Sequence, residues 1–417
     1  MKVFKFGGAS VNNVEKIKNL TSIVKEHANT PLVIVISAMG KTTNALEKVA
    51  EAFYAKKKEE ALQLFDAVKK QHITTAKYLL VTHFNSCLSQ LTDFFTEVEW
   101  LLHDQPVRHY DYYYDQIVCS GELISTSIIS HYLNEMKINN EWLDVRDLLR
   151  TDNTFRDANV DWDETSNKIK KSIDLSTNIY LTQGFIGATD DNESTTLGRE
   201  GSDYTAAVFA NILNAESVTI WKDVEGIMNA DPKQFTDATL ISELSYDEVI
   251  EMAYYGAQVI HPKTIKPLQN KKIPLNVQCF SDISLPGTLI YKKNAKHLAD
   301  IIVIKKEQVL FHLTSHDFSF VGEQSMAQLY KLFAQLKIKP NLIQTGAINV
   351  QGCFDDTAEK IEQLAIAASN IFDVQVEKGL QLLTIRHYTD SMLYELMIGK
   401  EMVLLQQTKE TVQILFR

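Results

Sequence analysis

The sequence predicts an α/β fold built on a mainly parallel central sheet, followed by a smaller unit of βαββαβ order. Three observations predict it. Residues Pro31–Ser37, PLVIVIS, form a continuous β-branched run bounded by turn signals, which is how a strand buried on both faces reads. A short apolar strand, Met1–Phe6, leads to that run through a helical stretch from about Val14 to Lys25, so the chain opens on a βαβ unit. Beyond Pro286-Gly287-Thr288 and the polar, basic segment Lys292–Asp300, the texture changes to short strands alternating with helices.

At 417 residues the chain is too long for one ordinary core. The expected division is a large domain at 1–292, a first small unit at 300–379 and a partial second unit at 380–417. Apolar residues make up 45% and charged residues 23%, the composition of a soluble globular protein. The net charge of −11 argues against nucleic acid or an anionic membrane as the main partner. Cys87, Cys119, Cys279 and Cys353 form no close pair, so neither a zinc knuckle nor a CxxC redox motif is expected. Reduced thiols in a cytoplasmic protein are the plain reading. The opening MKVFKFGGAS carries no signal-peptide apolar region, and no apolar run is long enough to span a bilayer.

Along the chain, residues 44–104 place apolar positions at helical spacing and predict two or three amphipathic helices, with Phe84, Phe94, Phe95 and Trp100 assigned to the core. Strands follow at Asn178–Thr182 and Ser217–Trp221, with a helix from Tyr204 to Asn214 between them, and Ser245–Ala257 reads as a helix. After the linker come a strand at Val309–Thr314, a helix at Gln324–Leu336, a strand pair within Asn341–Phe354 broken near Gly346, a helix at Ala358–Ala368 and a strand at Phe372–Glu377. That order is ferredoxin-like. It then restarts with a strand at Leu380–Arg386, a helix at Ser391–Ile398 and two strands within Glu401–Arg417. The second copy stops before its last helix and strand.

The strongest local signal is Leu197-Gly198-Arg199-Glu200-Gly201-Ser202-Asp203 ahead of an Ala-rich helix. Glycines admit an anion close to backbone N–H groups, Ser202 reads as the N-cap, and a helix N-terminus attracts negative charge. Arg199 can grip a carboxylate through two parallel hydrogen bonds. An ordinary loop ending in a capped helix would read the same way. In Lys5-Phe6-Gly7-Gly8, a lysine near the end of a buried strand is followed by two glycines, where α/β folds bind ligands. Lys5 can reach phosphate oxygens, while Gly7 and Gly8 offer backbone donors. An edge lysine before a turn is the bland equivalent. Gly40-Lys41-Thr42 imitates the end of a Walker A loop, but the first glycine of that motif would fall at Val35, and no GxGxxG occurs.

Three further segments carry polar groups beyond strands or at helix starts. Ser37-Ala38-Met39-Gly40-Lys41-Thr42-Thr43 offers hydroxyls to a small polar ligand. Ser120-Gly121-Glu122-Leu123-Ile124-Ser125 sets an acid early on an otherwise apolar helix, where it is costly unless paired. Taken without the other motifs, Glu122 reads better as part of a solvated helix face or as a partner of the helix N-terminal dipole. Trp221 to Lys233 runs from a strand into a polar loop with Lys222 and Asp223, and Gly256–Lys263 holds His261, read as a structural histidine at a helix junction.

Taken together and in this order, KFGGAS, SAMGKTTN, SGELIS, GFIGAT, LGREGSDYTA, DVEGIMNADP and VIHPKTI resemble the aspartate kinases of the amino-acid kinase superfamily. The resemblance covers essentially residues 1–292, and the remainder is similar to the family's paired regulatory ACT domains. It implies a three-layer αβα catalytic domain and ATP-dependent phosphorylation of the L-aspartate side-chain carboxylate, the first step toward lysine, threonine and methionine. Lys5 is then the residue that stabilises the transferring phosphoryl group, with Asp203 orienting it. Ser37, Thr43, Glu122, Phe185, Arg199 and Ser202 line the aspartate site, Arg199 on the α-carboxylate and Glu122 on the α-ammonium. Lys5, Gly7, Gly8, Lys222, Asp223, Met228, Lys233 and Gln258 face ATP. Mg²⁺ is carried with ATP and not held in a protein cage. A cytoplasmic homodimer paired through its ACT domains is expected.

The sequence departs from the family pattern at Ala9, Lys222, Met228 and Gln258, which stand where threonine, threonine, tyrosine and lysine are usual. Lys222 or Lys263 is expected to supply the charge missing at Gln258. Gln344-Thr345-Gly346-Ala347 replaces the Thr-Ser-Glu segment of lysine-inhibited members, so weak or no feedback by lysine alone is expected. Inhibition of the purified enzyme by sub-millimolar lysine would overturn that expectation. An acetylglutamate or uridylate kinase shares the opening glycines but lacks the SGEL segment and the C-terminal unit. An inactive effector-binding homologue would not need Lys5, Glu122, Arg199 and Asp203 together. A chain of this length leaves no room for an appended homoserine dehydrogenase.

Overall fold

A computed structural model describes residues 1–174, 179–257, 259–292 and 299–417. These fall into two compact units. The first takes Met1–Ile227, Leu240–Ile250 and Gln258–Ala295, and the second takes Met228–Thr239, Glu251–Ala257 and Lys296–Arg417.

The first unit is organised by ten strands: β1 (Lys2–Phe6), β2 (Leu32–Ile36), β3 (Asn140–Leu143), β4 (Ile179–Gln183), β5 (Ile186–Ala188), β6 (Ser194–Thr196), β7 (Ser217–Lys222), β8 (Glu243–Leu244), β9 (Leu275–Cys279) and β10 (Thr288–Ile290). Eight of them form one sheet in the order β3-β4-β2-β1-β7-β9-β10-β8, and β5 and β6 pair as a small antiparallel ribbon. The order crosses over repeatedly, so β1 through β4, β7 and β9 run parallel, and only β10 and β8 are reversed. Val33, Ile34, Val35 and Ile36 are fully buried. Each such aliphatic side chain contributes about 1.5–3 kcal/mol on leaving water.

The helices of this stretch are α1 (Val14–Glu26), α2 (Thr42–Tyr54), α3 (Lys58–Leu79), α4 (Phe84–His103), α5 (Tyr110–Val118), α6 (Ser120–Glu135), α7 (Val145–Leu148), α8 (Trp162–Ser172), α9 (Gly201–Leu213), α10 (Tyr246–Tyr254) and α11 (Pro262–Lys271). Thus residues 44–104 form three helices. The buried stripe of α4 is Cys87, Leu91, Phe94, Phe95, Val98 and Leu102, an i, i+4, i+7 pattern. Trp100 falls outside that stripe and is 73% exposed, so its assignment to the core is corrected. By contrast α6 and α9 are buried almost all round, as helices packed inside a domain must be. Among the described residues no helix is long and apolar enough to cross a membrane.

The second unit holds β11 (Ile301–Ser315), α12 (Glu323–Gln335), β12 (Leu342–Thr345), β13 (Asn349–Asp355), α13 (Ala358–Ala368), β14 (Phe372–Arg386), α14 (Asp390–Met397), β15 (Met402–Gln407) and β16 (Thr411–Phe416). Its sheet is antiparallel throughout, ordered β12-β13-β11-β14-β16-β15. The first four of those strands, with α12 and α13, have the ferredoxin-like arrangement. The stretches Phe372–Glu377 and Leu380–Arg386, predicted as separate strands, are one strand. Pairing with β11 shifts register between Gln308 and Leu310, where Glu377 and Leu380 are the facing partners, so Lys378 and Gly379 form a bulge and not a turn. The predicted second repeat gains a fourth strand from an unexpected place: Ile301–Lys305, at the start of β11, pairs with Leu382–Arg386. Leu383, Ile385, Val412, Ile414 and Phe416 make the core beneath α14.

Candidate active site

In a parallel sheet all carboxyl ends share one edge, and ligands bind there. Phe6 is in register with Ile36 and Trp221, and Ile36 with Gln183, so four neighbouring strands end level. Lys5 near the end of β1, Ser37 after β2, Phe185 after β4 and Lys222 at the end of β7 therefore meet along one edge. Three helices begin at the same place, bringing Thr43 on α2, Glu122 on α6, and Ser202 and Asp203 on α9.

These residues, with Arg199, line a single cleft of about 560 Å³. Nine of the predicted site residues are thereby brought together: Lys5, Ser37, Thr43, Glu122, Phe185, Arg199, Ser202, Asp203 and Lys222. Gly7, Gly8 and Asp223 lie on the flanking turns. Met228 and Lys233 belong to the second unit, where the Lys233 N–H donates to Asp231 Oδ1 at 2.9 Å. Gln258 lies outside the described residues. Tyr114, Arg156, Thr196, Gly198, Glu200 and Gly201 also line the cleft. Sequence reasoning singled out none of these as site residues. Gly198, Glu200 and Gly201 sat inside a motif already read, and Thr196 immediately precedes it. Tyr114 was hidden in an aromatic run, and Arg156 is a single cation in a polar stretch without a motif.

Local chemistry explains how the cleft is held. A Cβ at Gly8 would come within 2.7 Å of the Ala38 carbonyl oxygen, so only glycine lets the turns after β1 and β2 touch. The Gly40 N–H donates to the Gly8 carbonyl at 3.0 Å and ties them. Phe185 has φ of 72°, an uncommon conformation for a bulky residue. Its N–H donates to Thr205 Oγ1 at 3.1 Å, and its carbonyl accepts from Leu197 at 2.8 Å. Ser202 is not the N-cap it was predicted to be. Glu200, in the left-handed region at φ 54°, takes that position, so Ser202 falls inside the first turn. Its hydroxyl instead accepts from Ser37 Oγ at 2.9 Å. His261 caps α11 with its side chain accepting from the Lys263 N–H, as a structural histidine would.

Charge is arranged in two groups. Lys5 Nζ lies 2.6 Å from Asp203 Oδ1, and the two side chains are only 12% and 3% exposed. Lys222 Nζ donates to the Val259 carbonyl at 2.7 Å, a neutral partner that leaves its charge available to the cleft. Lys263, in contrast, is paired with Asp157 and lines none of this cleft. On the acceptor side, Glu122 is buried. One oxygen, Oε1, accepts from the Ala38 N–H at 3.1 Å, while Oε2 has no hydrogen-bond partner among the described residues. Burial pushes the carboxyl up to about 8, and the bond from Ala38 only partly offsets it. Among the described residues Arg199 makes no ion pair. An orphaned buried acceptor and a free guanidinium in one cleft are complementary to an α-amino acid, one to its ammonium and one to its carboxylate.

Residues 1–279 match the amino acid kinase family. The chain is 31% identical to lysine-sensitive aspartokinase 3 of Escherichia coli (strain K12) over 394 residues, which covers 92% of this chain and 86% of that one. It belongs to the aspartokinases of the amino acid kinase family. Its fold agrees, since E. coli aspartokinase III in complex with aspartate and ADP superposes with a TM-score of 0.85 at 27% identity, covering 100% of this chain and 96% of that one. The chain is also 31% identical over 298 residues to the chloroplastic bifunctional aspartokinase/homoserine dehydrogenase 2 of Arabidopsis thaliana. That match covers 69% of the chain but only 32% of the longer relative.

Proposed function

We propose that this aspartokinase transfers the γ-phosphoryl group of ATP to the side-chain carboxylate of L-aspartate, giving 4-phospho-L-aspartate and ADP. The observation that carries the reading is Glu122 Oε2, a buried and unpaired acceptor in the same cleft as Arg199. Glu122 takes the α-ammonium and Arg199 the α-carboxylate, which leaves the side-chain carboxylate pointing toward Lys5. Ser37, Thr43, Phe185 and Ser202 shape the space between.

In the transfer, a carboxylate oxygen forms a bond to Pγ as the Pγ–O bond to ADP breaks, and ADP keeps the electron pair. The attacking group is already ionised, so no general base is needed. Catalysis then rests on positioning and charge neutralisation. Lys5, held by Asp203, meets the phosphoryl oxygens, and Gly7 and Gly8 supply N–H groups beside it. The N-terminus of α9 adds its positive end. Lys222 and Asp223 lie on the nucleotide side, and Mg²⁺ enters as part of the substrate MgATP. The enzyme is read as cytoplasmic and homodimeric, with the antiparallel sheets of the second units pairing between chains.

Lys222 is the cation that replaces the charge missing at position 258, because it lines the cleft while Lys263 is occupied by Asp157. Lys222→Ala is expected to raise KM for ATP about tenfold, the value of one charge-assisted hydrogen bond. An unchanged KM for ATP would rule out the compensation. The acceptor itself is tested by ADP release from MgATP with L-aspartate, N-acetylglutamate and UMP in parallel. Release with aspartate alone is expected, and release with either of the others in its place would reject the reading.

A further inference from the structure

Asp115 on α5 is fully buried. Its carboxylate accepts three hydrogen bonds from two segments distant in sequence. Oδ2 accepts from the Arg156 N–H at 3.0 Å and the Thr196 N–H at 2.8 Å, and Oδ1 accepts from the Thr196 hydroxyl at 2.7 Å. Both Arg156 and Thr196 line the cleft. Arg156 has φ of 70°. Non-glycine residues hold that conformation where the surroundings over-determine it, and such residues cluster at functional sites. The adjoining wall is moulded to it. At Gly198, next to Arg199, a Cβ would come within 3.2 Å of the Arg156 carbonyl oxygen.

The Arg156 side chain is also placed. Its guanidinium carbon lies 4.3 Å from the centre of the Tyr114 ring, another cleft residue. Nη1 donates to Asp111 Oδ1 at 3.3 Å, and Nη2 stands 3.7 Å from Glu47. A guanidinium has five N–H donors in a fixed fork, more than these two carboxylates use. The side chain remains 42% exposed.

We infer that Arg156 is a second cation for the carboxylates of the acceptor, beside Arg199, and that Asp115 is the positioning residue that holds it there. This rests on the reading of the acceptor as an acidic amino acid. The competing account is that Arg156 merely ties α2 to α5 through Glu47 and Asp111. The two accounts differ in kinetics.

The test is steady-state kinetics of Arg156→Gln and Arg156→Lys in the full chain, with KM measured for aspartate and for MgATP. Arg156→Gln is expected to raise KM for aspartate about tenfold, the worth of one charge-assisted contact. KM for MgATP should stay within about twofold, because an acceptor contact does not touch the nucleotide. Arg156→Lys should recover part of the loss. If both KM values rise together, or neither moves, the inference is overturned. Should Arg156→Gln fail to fold, Asp111→Asn carries the test. Removing that competing carboxylate lowers KM for aspartate if Arg156 binds it, and leaves or raises it if Arg156 is only a tie. Absence of aspartate-dependent ADP release in the unsubstituted enzyme would instead reject the acceptor reading itself.

Discussion

Lys5→Met is expected to lower kcat by about a thousandfold, the scale on which removal of one preorganised electrostatic group acts on phosphoryl or acyl transfer. Lys5 and Asp203 form a nearly dry pair at 2.6 Å. The lysine is thus fixed before substrate arrives, and no side-chain reorganisation is needed as charge develops on the transferring group. The same dryness makes the single variant unstable. A buried carboxylate left without its cation costs about 3–5 kcal/mol. Activity and stability can be separated with the double variant Lys5→Met/Asp203→Asn, in which both charges go. Its thermal midpoint should recover while kcat stays low. ADP release and thermal denaturation measure the two quantities, and a Lys5→Met enzyme within tenfold of the parent kcat would remove Lys5 from the mechanism.

Glu122→Gln is expected to raise KM for aspartate about a hundredfold while leaving nucleotide binding intact, since it replaces the charged partner of a buried ammonium by a neutral one. The pH dependence gives a sharper signature. Burial holds the Glu122 carboxyl at about 8, above its ordinary 4.5. Folding therefore favours the protonated form. The contribution of this group to the stability of the enzyme is full at low pH and is lost as pH rises from about 4.5 through 8. A bound ammonium favours the ionised form, so aspartate binding expels a proton below pH 8, and affinity rises with pH up to that value. Glu122→Gln cannot titrate and should bind weakly with no such rise. Calorimetric binding in buffers of different ionisation enthalpy counts the protons released. Equal proton release by parent and variant would show that Glu122 does not face the ammonium.

Much of this site was legible because its chemistry is local. A parallel sheet delivers its functional groups at strand ends and helix starts, each a few residues long, so Lys5, Ser37, Glu122 and the Gly198–Asp203 stretch announce themselves by type and position. Arg156, Tyr114 and Thr196 do not. Arg156 and Thr196 are tied to α5, which carries Tyr114, by a buried carboxylate, Asp115, that joins segments far apart in sequence, and no spacing encodes that. Ser202 was misplaced because a residue with a side chain, Glu200, adopts the left-handed conformation that caps α9. In the second unit, alternation identified the strands but not their continuity. The bulge at Lys378-Gly379 reads as a turn, and the strand that completes the second repeat comes from before the first. Trp100 was assigned to the core by its aromatic type, but helical periodicity sets it on the face of α4 opposite the buried stripe.

A phosphorylated carboxylate is an acyl phosphate, which can be trapped. Hydroxylamine added to a reaction of the enzyme, MgATP and L-aspartate converts the product to a hydroxamate, which mass spectrometry identifies. Aspartate β-hydroxamate should form in step with ADP, and both should fall together in Lys5→Met. ADP formed without any hydroxamate, or a hydroxamate at the α-carboxylate, would show that the side-chain carboxylate is not the phosphoryl acceptor.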